Sequence, residues 1–256
     1  MNEKRIFAGT IRSLFFALII GGLSCSGTLA GEQLILSIAP SWNSSRGQLQ
    51  LFEKTGGRWY AVSAPIAVLY GKNGLAWGRG LHGEGEPGRQ KIERDKRAPA
   101  GVFRVGKIYT YDTSLPAGSD YPFFTVTENC AWPDDPTLPE YNRHISFPPG
   151  EKKPAWFEKQ KMRHGDSAYR WLVEICHNSV PPLPGAGSAI FFHTRRGADR
   201  PSAGCTVMSK ENLISLMRWL RLSEHPRYAL LPSPLYENYW QKWNLPPPDL
   251  AKTILK

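Results

Sequence analysis

The sequence predicts a mainly β fold of mixed α+β type with a few helices. Three observations carry this. Short strand-like stretches recur along the chain, only one segment has strong helical periodicity, and no internal repeat marks a solenoid or propeller. With 256 residues the chain is long enough to bury a proper core, and a single domain over 31–256 accounts for the element density.

The elements follow in order. Gln33 to Ala39 and Gly47 to Lys54 read as strands, the second with Leu49 and Leu51 on one face. Gly56-Gly57 signals a hairpin into Trp59–Val62, and Ala64–Tyr70 continues the β pattern. Residues 71–101 are rich in Gly, Pro and charge and read as loops leading to a short strand at Gly101–Val105. Trp156–Met162 is a short amphipathic helix and Trp171–Cys176 a buried strand. Pro181-Pro182-Leu183-Pro184-Gly185 is a rigid loop before an apolar strand at Ala189–Phe192. The best helix has Ser209 as N-cap, with Leu213, Leu216, Met217 and Leu220 on one stripe. It ends before Pro226, and Tyr228–Leu231 is the last strand. The tail 232–256 carries Tyr236, Tyr239, Trp240 and Trp243 and reads as a packed aromatic appendage.

The first thirty residues have the order of a secretory signal peptide. Lys4, Arg5 and Arg12 are followed by an apolar run from Leu14 to Ile20 and by small residues ending at Ala30. That run is too short to span a bilayer. Without this leader, 29 basic and 21 acidic residues leave a formal charge of +8. Export argues against nucleic acid as the acidic partner. An anionic cell envelope fits better, beside the plain reading that net charge keeps the protein soluble. The expected location is the periplasm.

Cys130, Cys176 and Cys205 remain after the leader, an odd number in an oxidising compartment. No CxxC pair suggests a zinc site. The expectation is a Cys130–Cys176 bridge with Cys205 free.

The chemistry concentrates at residues 187–208. An apolar strand ends in His193, and twelve residues on Cys205 follows Ser202-Ala203-Gly204. A thiol needs a base or a cation beside it to ionise near neutral pH. His193 is that base if the intervening loop folds back. Gly204 permits close backbone approach, so the amides around Gly204 and Cys205 are candidates to face an oxyanion. Taken alone the pairing is a weak signal, since a free cysteine is more often a small core residue.

Gly187 to Met208, with His193 and the Ser-x-Gly-Cys segment, resembles the YkuD-type L,D-transpeptidase catalytic domain. Glu93 to Phe103 resembles that family's acidic segment ending in Pro-x-Gly-x-Phe. Cys130–Asn142 and His177-Asn178 are similar to a periplasmic branch of it, and the likeness covers roughly residues 68–231. The resemblance implies a sandwich- or barrel-like β fold with no metal and no cofactor. It also implies a cysteine that acylates on the diamino acid of a peptidoglycan stem peptide and releases D-alanine. An amine, from a second stem peptide or an envelope lipoprotein, then resolves the thioester. By position, Cys205 is the nucleophile, His193 the base, and the Thr194 carbonyl the group that orients the imidazole.

Two departures stand out. Ala203 replaces the family's usual His, and Val207 replaces its Arg. Arg195, Arg196 and Arg200 on the intervening loop are candidates to anchor the substrate carboxylate in its place, or else form a solvated basic loop. An L,D-carboxypeptidase or endopeptidase and a non-catalytic wall-binding module therefore stay open as alternatives. The GxGxxG run Gly78–Gly83 lies in loop composition without the strand and helix that a dinucleotide site needs. His82, His144, His164 and His177 show no metal-ligand spacing. Asp134-Asp135 reads as a turn cap, or as a border of the cleft by the resemblance. For Trp77, Trp132 and Tyr141, core packing competes with stacking on substrate.

Overall fold

The computed structural model describes residues 31–255, together with Met1. The predicted leader and Cys25 otherwise lie outside the described residues. In order, the elements are β1 (Glu32–Ala39), β2 (Arg46–Thr55), β3 (Arg58–Ala61), β4 (Ile66–Leu69), β5 (Leu75–Trp77), β6 (Ala98–Thr110), β7 (Phe123–Thr125), β8 (Cys130–Ala131), β9 (Ile145–Ser146) and α1 (Phe157–Gln160). They continue with β10 (Trp171–Ile175), β11 (Phe191–Thr194), β12 (Thr206–Met208), α2 (Lys210–Trp219), β13 (Arg227–Pro232), α3 (Tyr236–Tyr239) and α4 (Pro248–Leu255).

The strands pair in the order β1-β13-β6-β10-β11-β12-β4-β2, and β2 pairs back with β1, so the sheet closes on itself as a barrel. Closure removes the exposed edges that an open sheet of this length would carry. Most pairs are antiparallel, but β11 and β12 run parallel. The β2–β3 hairpin turns on Gly56 and Gly57 at φ +57° and +78°, the left-handed pair that a two-residue turn matching strand twist demands.

One face of this sheet builds the main core. Phe192 packs edge-on against Tyr228 at 4.7 Å, and Phe103 lies beside Tyr228. The apolar stripe of α2 (Leu213, Leu216, Met217) completes that core, and Ser209 caps the helix by accepting from the Asn212 N–H. Residues of the tail, including Tyr236, Trp243, Leu245, Ala251 and Ile254, are buried against the same core. On the other face of β10 and β11 a smaller cluster forms from Tyr109, Val126, Cys130, Met162, Leu172 and Phe191. It lies under the long excursion between β7 and β10.

Several expectations need correction. The strand expected at 101–105 runs from Ala98 to Thr110 and pairs with four others, β5, β7, β10 and β13. Pro99, Gly101 and Gly106 hide it in the sequence, and its partners change along its length. The strand expected from Ala189 begins only at Phe191, because Ala189 adopts φ +51° and breaks the extended run. The helix expected at 156–162 is a single turn, Phe157–Gln160; Met162 leaves it to donate its N–H to the Cys130 carbonyl.

The Cys130–Cys176 bridge does not form, and all three described cysteines are free. Cys130 lies in the small apolar cluster, where its sulfur accepts from the Thr127 N–H. Cys176 lines a different, polar cavity of about 250 Å³ with Arg79 and Arg104, and its thiol donates to Glu174. Burial and the neighbouring Glu174 carboxylate push that thiol up to about 12.

The GxGxxG loop is structural. Gly80 packs so tightly on β6 that an added Cβ would meet the Val102 carbonyl at 2.3 Å, and His82 Nδ1 accepts the Val102 N–H. His177 is buried with both ring nitrogens bonded, Nδ1 to the Arg79 N–H and Nε2 to the Ala186 carbonyl.

Burial holds His82, His144, His177 and His193 below the ordinary imidazole range, His177 at about 3 and His193 at about 4. These groups take up protons in the unfolded chain near pH 6.5 but in the folded chain only at lower pH, well below it for His177 and His193. Stability is therefore full above about pH 6.5 and is lost as pH falls toward 4. Glu174, pushed up by burial, opposes this with a single carboxyl. The melting temperature is expected to drop by about 5 °C or more between pH 7 and pH 4.5. Thermal melts across that range check it, and a flat profile rejects it.

Candidate active site

His193 and Cys205 come together through the parallel pairing of β11 and β12. The register sets Phe192 opposite Thr206, His193 opposite Val207 and Thr194 opposite Met208. Phe192 and Thr206 point into the main core, where the Thr206 hydroxyl bonds the Tyr228 hydroxyl at 2.8 Å. Side chains alternate along a strand, so Phe191, His193, Cys205 and Val207 share the opposite face. His193 and Cys205 are diagonal neighbours there. Diagonal neighbours lie about 7–8 Å apart, with their Cβ atoms somewhat closer, a gap within reach of an imidazole and a thiol together.

Short-range contacts shape the turn before the cysteine. The Ser202 hydroxyl donates to the Cys205 carbonyl at 2.6 Å and accepts the Gly204 N–H at 3.0 Å. Ser202 is tied to the barrel wall by its N–H to the Tyr70 carbonyl. Gly204 has φ +153°, and a Cβ there would lie 3.0 Å from the Arg97 carbonyl, so glycine is demanded by space and by backbone alike. Its N–H is committed to Ser202, so Gly204 acts here as a turn former. Ala203 is exposed, and Val207 is buried in register with His193.

The imidazole is held in one tautomer. Nδ1 lies 2.9 Å from the Thr194 carbonyl, which only accepts, so Nδ1 carries the hydrogen and Nε2 is left bare. Tyr169 stands edge-on against the ring at 4.9 Å, and the Arg196 guanidinium lies over Tyr169 at 4.6 Å. Asp166 caps the short turn at Ser167–Tyr169 and accepts Arg196 Nε and Nη2 at 2.8 and 2.6 Å. The three arginines therefore separate. Arg196 stands beside the histidine, Arg195 lines a groove on another side with Arg46 and Gly47, and Arg200 is exposed.

A cleft of about 200 Å³ opens above Cys205, between Trp132, Tyr169 and Met162, with Asp134, Lys161 and His164 toward its rim. Asp134 is held by Gln160 at 2.9 Å, whereas Asp135, half-buried, caps a turn at Thr137. Of the aromatics weighed in the sequence, Trp132 faces the cleft. Trp77 and Tyr141 are buried in packing roles.

Sequence reasoning missed Tyr169 and Asp166. Neither sits in a motif, and they reach the site from a turn at the end of the long excursion. It also assigned no task to Glu93, Asn142, His177 or Asn178, which the structure gathers around the loop leading to Ala189.

The resting pair is neutral. Burial holds His193 near 4 against the raising effect of its Thr194 bond. The Cys205 residue is partly exposed at the cleft, yet protein atoms crowd its sulfur and push the thiol up to about 11. The Phe191 N–H, Lys91 and Arg196 offset part of this. Cys205 does not bond His193 among the described residues; its thiol donates to the Ala189 carbonyl at 3.6 Å. The sign follows directly. A thiol whose pKa is raised yields thiolate only as pH climbs toward that value. Iodoacetamide modification of Cys205, followed on its tryptic peptide, is expected to be slow at pH 7 and to keep rising to pH 10 without a plateau. A plateau with its midpoint near pH 6–7 indicates a preformed thiolate–imidazolium pair instead.

Residues 43–227 match the family model for YkuD, the L,D-transpeptidase catalytic domain. No curated protein and no solved structure matches the chain. The match runs from β2 to the start of β13 and takes in both His193 and Cys205 with the strands that pair them. By that extent of agreement the chain belongs to the YkuD L,D-transpeptidase catalytic-domain family.

Proposed function

We propose that the protein is a periplasmic cysteine L,D-transpeptidase that acts on peptidoglycan stem peptides through a thioester at Cys205. The observation that carries this is the shared face of β11 and β12. It carries an imidazole with a bare Nε2 and, diagonally across the strand pair, a thiol at the floor of a cleft of about 200 Å³, which supports the reading of His193 as base and Cys205 as nucleophile.

In the acylation half, the stem peptide lies between Trp132 and Tyr169 with its scissile carbonyl over the sulfur. Cys205 Sγ bonds to the carbonyl carbon as its proton passes to His193 Nε2, and the carbonyl electron pair moves onto oxygen. The C–N bond to D-alanine then breaks, and the imidazolium returns its proton to the departing amine. Throughout, the Thr194 carbonyl holds Nδ1–H and stabilises the charged ring. Deacylation reverses the roles. An acceptor amine attacks the thioester, His193 takes its proton, the C–S bond breaks, and the sulfur recovers the proton. A lipoprotein amine serves as acceptor by the same chemistry, and water in that role makes the enzyme a hydrolase. Because the resting pair is neutral, proton transfer accompanies attack and does not precede it.

Mass spectrometry of muropeptides incubated with the protein lacking residues 1–30 tests this. Wild type is expected to release D-alanine and form 3→3 crosslinked dimers, and Cys205→Ala and His193→Ala to lose at least about 1000-fold in rate. Tripeptide without dimer identifies the hydrolase. Untouched muropeptides and untouched lipoprotein-linked sacculi with wild type reject an enzyme of this class.

Arg196 is the arginine we assign to the substrate carboxylate. Its bonds to Asp166 use Nε and Nη2, and its charge reaches both His193 and Cys205. A charge-assisted bond of this kind contributes about 1.5–3 kcal/mol. Arg196→Ala is thus expected to raise KM for the tetrapeptide by about tenfold or more, with partial rescue in Arg196→Lys. Arg195→Ala and Arg200→Ala should stay within about twofold of wild type. Equal KM effects at all three positions would make the loop a general basic surface.

A further inference from the structure

Four consecutive residues before β11 are each held by a different side chain, three of them buried and one, Glu93, half-buried. The Ala186 carbonyl bonds His177 Nε2 at 3.0 Å, and the Gly187 carbonyl accepts Asn178 Nδ2 at 2.9 Å. The Ser188 hydroxyl donates to Glu93 at 2.8 Å, and the Ala189 N–H donates to Asn142 Oδ1 at 3.0 Å. Asn142 is 5% exposed and bonded at both ends of its amide. Oδ1 also accepts the Trp132 indole N–H at 2.9 Å, and Nδ2 donates to the His177 and Asn178 carbonyls at 3.1 and 2.7 Å. Nothing about the amide is free to turn.

The last of these four residues is the unusual one. Ala189 sits at φ +51°, a conformation that disfavours any residue with a Cβ. An unstrained alanine there would point its carbonyl elsewhere. Held as it is, the Ala189 carbonyl receives the Cys205 thiol hydrogen at 3.6 Å. A carbonyl oxygen beside the sulfur favours S–H and opposes thiolate, and it draws the thiol off the line to His193.

We infer that Asn142 is a positioning residue for the nucleophile: through Ala189 it keeps the Cys205 thiol in a resting pose, protonated and turned from the base. Trp132, which forms a wall of the cleft, shares the same Oδ1, so the contact between cleft and nucleophile runs through one amide. The inference rests on Cys205 being the reactive thiol. Its readout is thiol chemistry and needs no peptidoglycan substrate, so it stands or falls separately from the proposed reaction. The charges that act on the sulfur are Lys91 and Arg196, Asp134, Lys159, Lys161, His164 and Tyr169 line the cleft with it, and His193 lies diagonally across the strand pair; a change at Asn142 alters none of them.

The test is the rate of iodoacetamide modification at each cysteine peptide between pH 6 and pH 10, in wild type, Asn142→Ala and Ser188→Ala. In Asn142→Ala the Cys205 rate at pH 7 is expected to rise about tenfold, with the pH profile moved down by about one unit. Cys130 and Cys176 in the same sample stay within about twofold. Ser188→Ala frees the neighbouring residue from Glu93 and leaves the Cys205 rate within about twofold of wild type. An unchanged Cys205 profile overturns the inference, and so does a rise shared by all three cysteines, which marks general loosening. Should Asn142→Ala not fold, Asn142→Ser, whose hydroxyl ends short of the Ala189 N–H, takes its place with the same expected and overturning results.

Discussion

The parallel pairing of β11 with β12 is the constraint on which the rest of the site depends. Parallel neighbours ordinarily need a long crossover, and here only the stretch from Arg195 to Cys205 is available. The chain manages it by tying the loop at both ends. The Arg195 N–H donates to the Met208 carbonyl, and Ser202 and Gly204 form a tight turn docked on Tyr70 and Arg97. One residue of slip in either strand would move His193 or Cys205 to the core face, where Phe192 and Thr206 now sit. Barrel closure resists such a slip, because β12 is also paired to β4 and β11 to β10.

The placement has an electrostatic consequence. A buried histidine and a cysteine whose sulfur is crowded by protein atoms are both driven to their neutral forms, the imidazole downward and the thiol upward. The site is thus organised around the tautomer of a neutral imidazole and the direction of a neutral thiol, with Arg196–Asp166 the ion pair beside them. That gives the backbone carbonyls of Thr194 and Ala189 unusual weight. The first orders the base, and the second occupies the thiol.

Around these two carbonyls the protein has buried a set of polar side chains, each with its bonds satisfied, among them Asn142, His177 and Asn178, with Glu93 half-buried beside them. Buried Lys91 is paired with Asp95 at 2.6 Å in the same region. Burying so much polarity is tolerable only when every group is bonded. The result is a rigid loop at 177–189 in a place where an apolar loop would have packed in several ways. The left-handed backbone at Ala189 persists because this framework holds it.

Much of the architecture was legible in the sequence. Alternation marked β1 to β4, Ser209 and the stripe from Leu213 marked α2, and His193 with Ser202–Cys205 marked the segments that the paired strands β11 and β12 set side by side. These are local signals, carried by side-chain period, capping and turn chemistry. What stayed hidden was whatever depended on partners distant in the chain. β6 was obscured because its neighbours change along its length, and Tyr169 and Asp166 because they reach the histidine from a separate turn. The free states of Cys130 and Cys176 follow from their separate surroundings, a packed apolar cluster for the first and a polar cavity for the second. The three arginines looked equivalent in a row of charges, and only the course of the loop set Arg196 beside the base and Arg195 on another side. By itself the sequence determined which groups are present and which local conformations they favour. Tertiary structure decided which of them meet, because register, burial and the direction of a carbonyl are properties of packed neighbours.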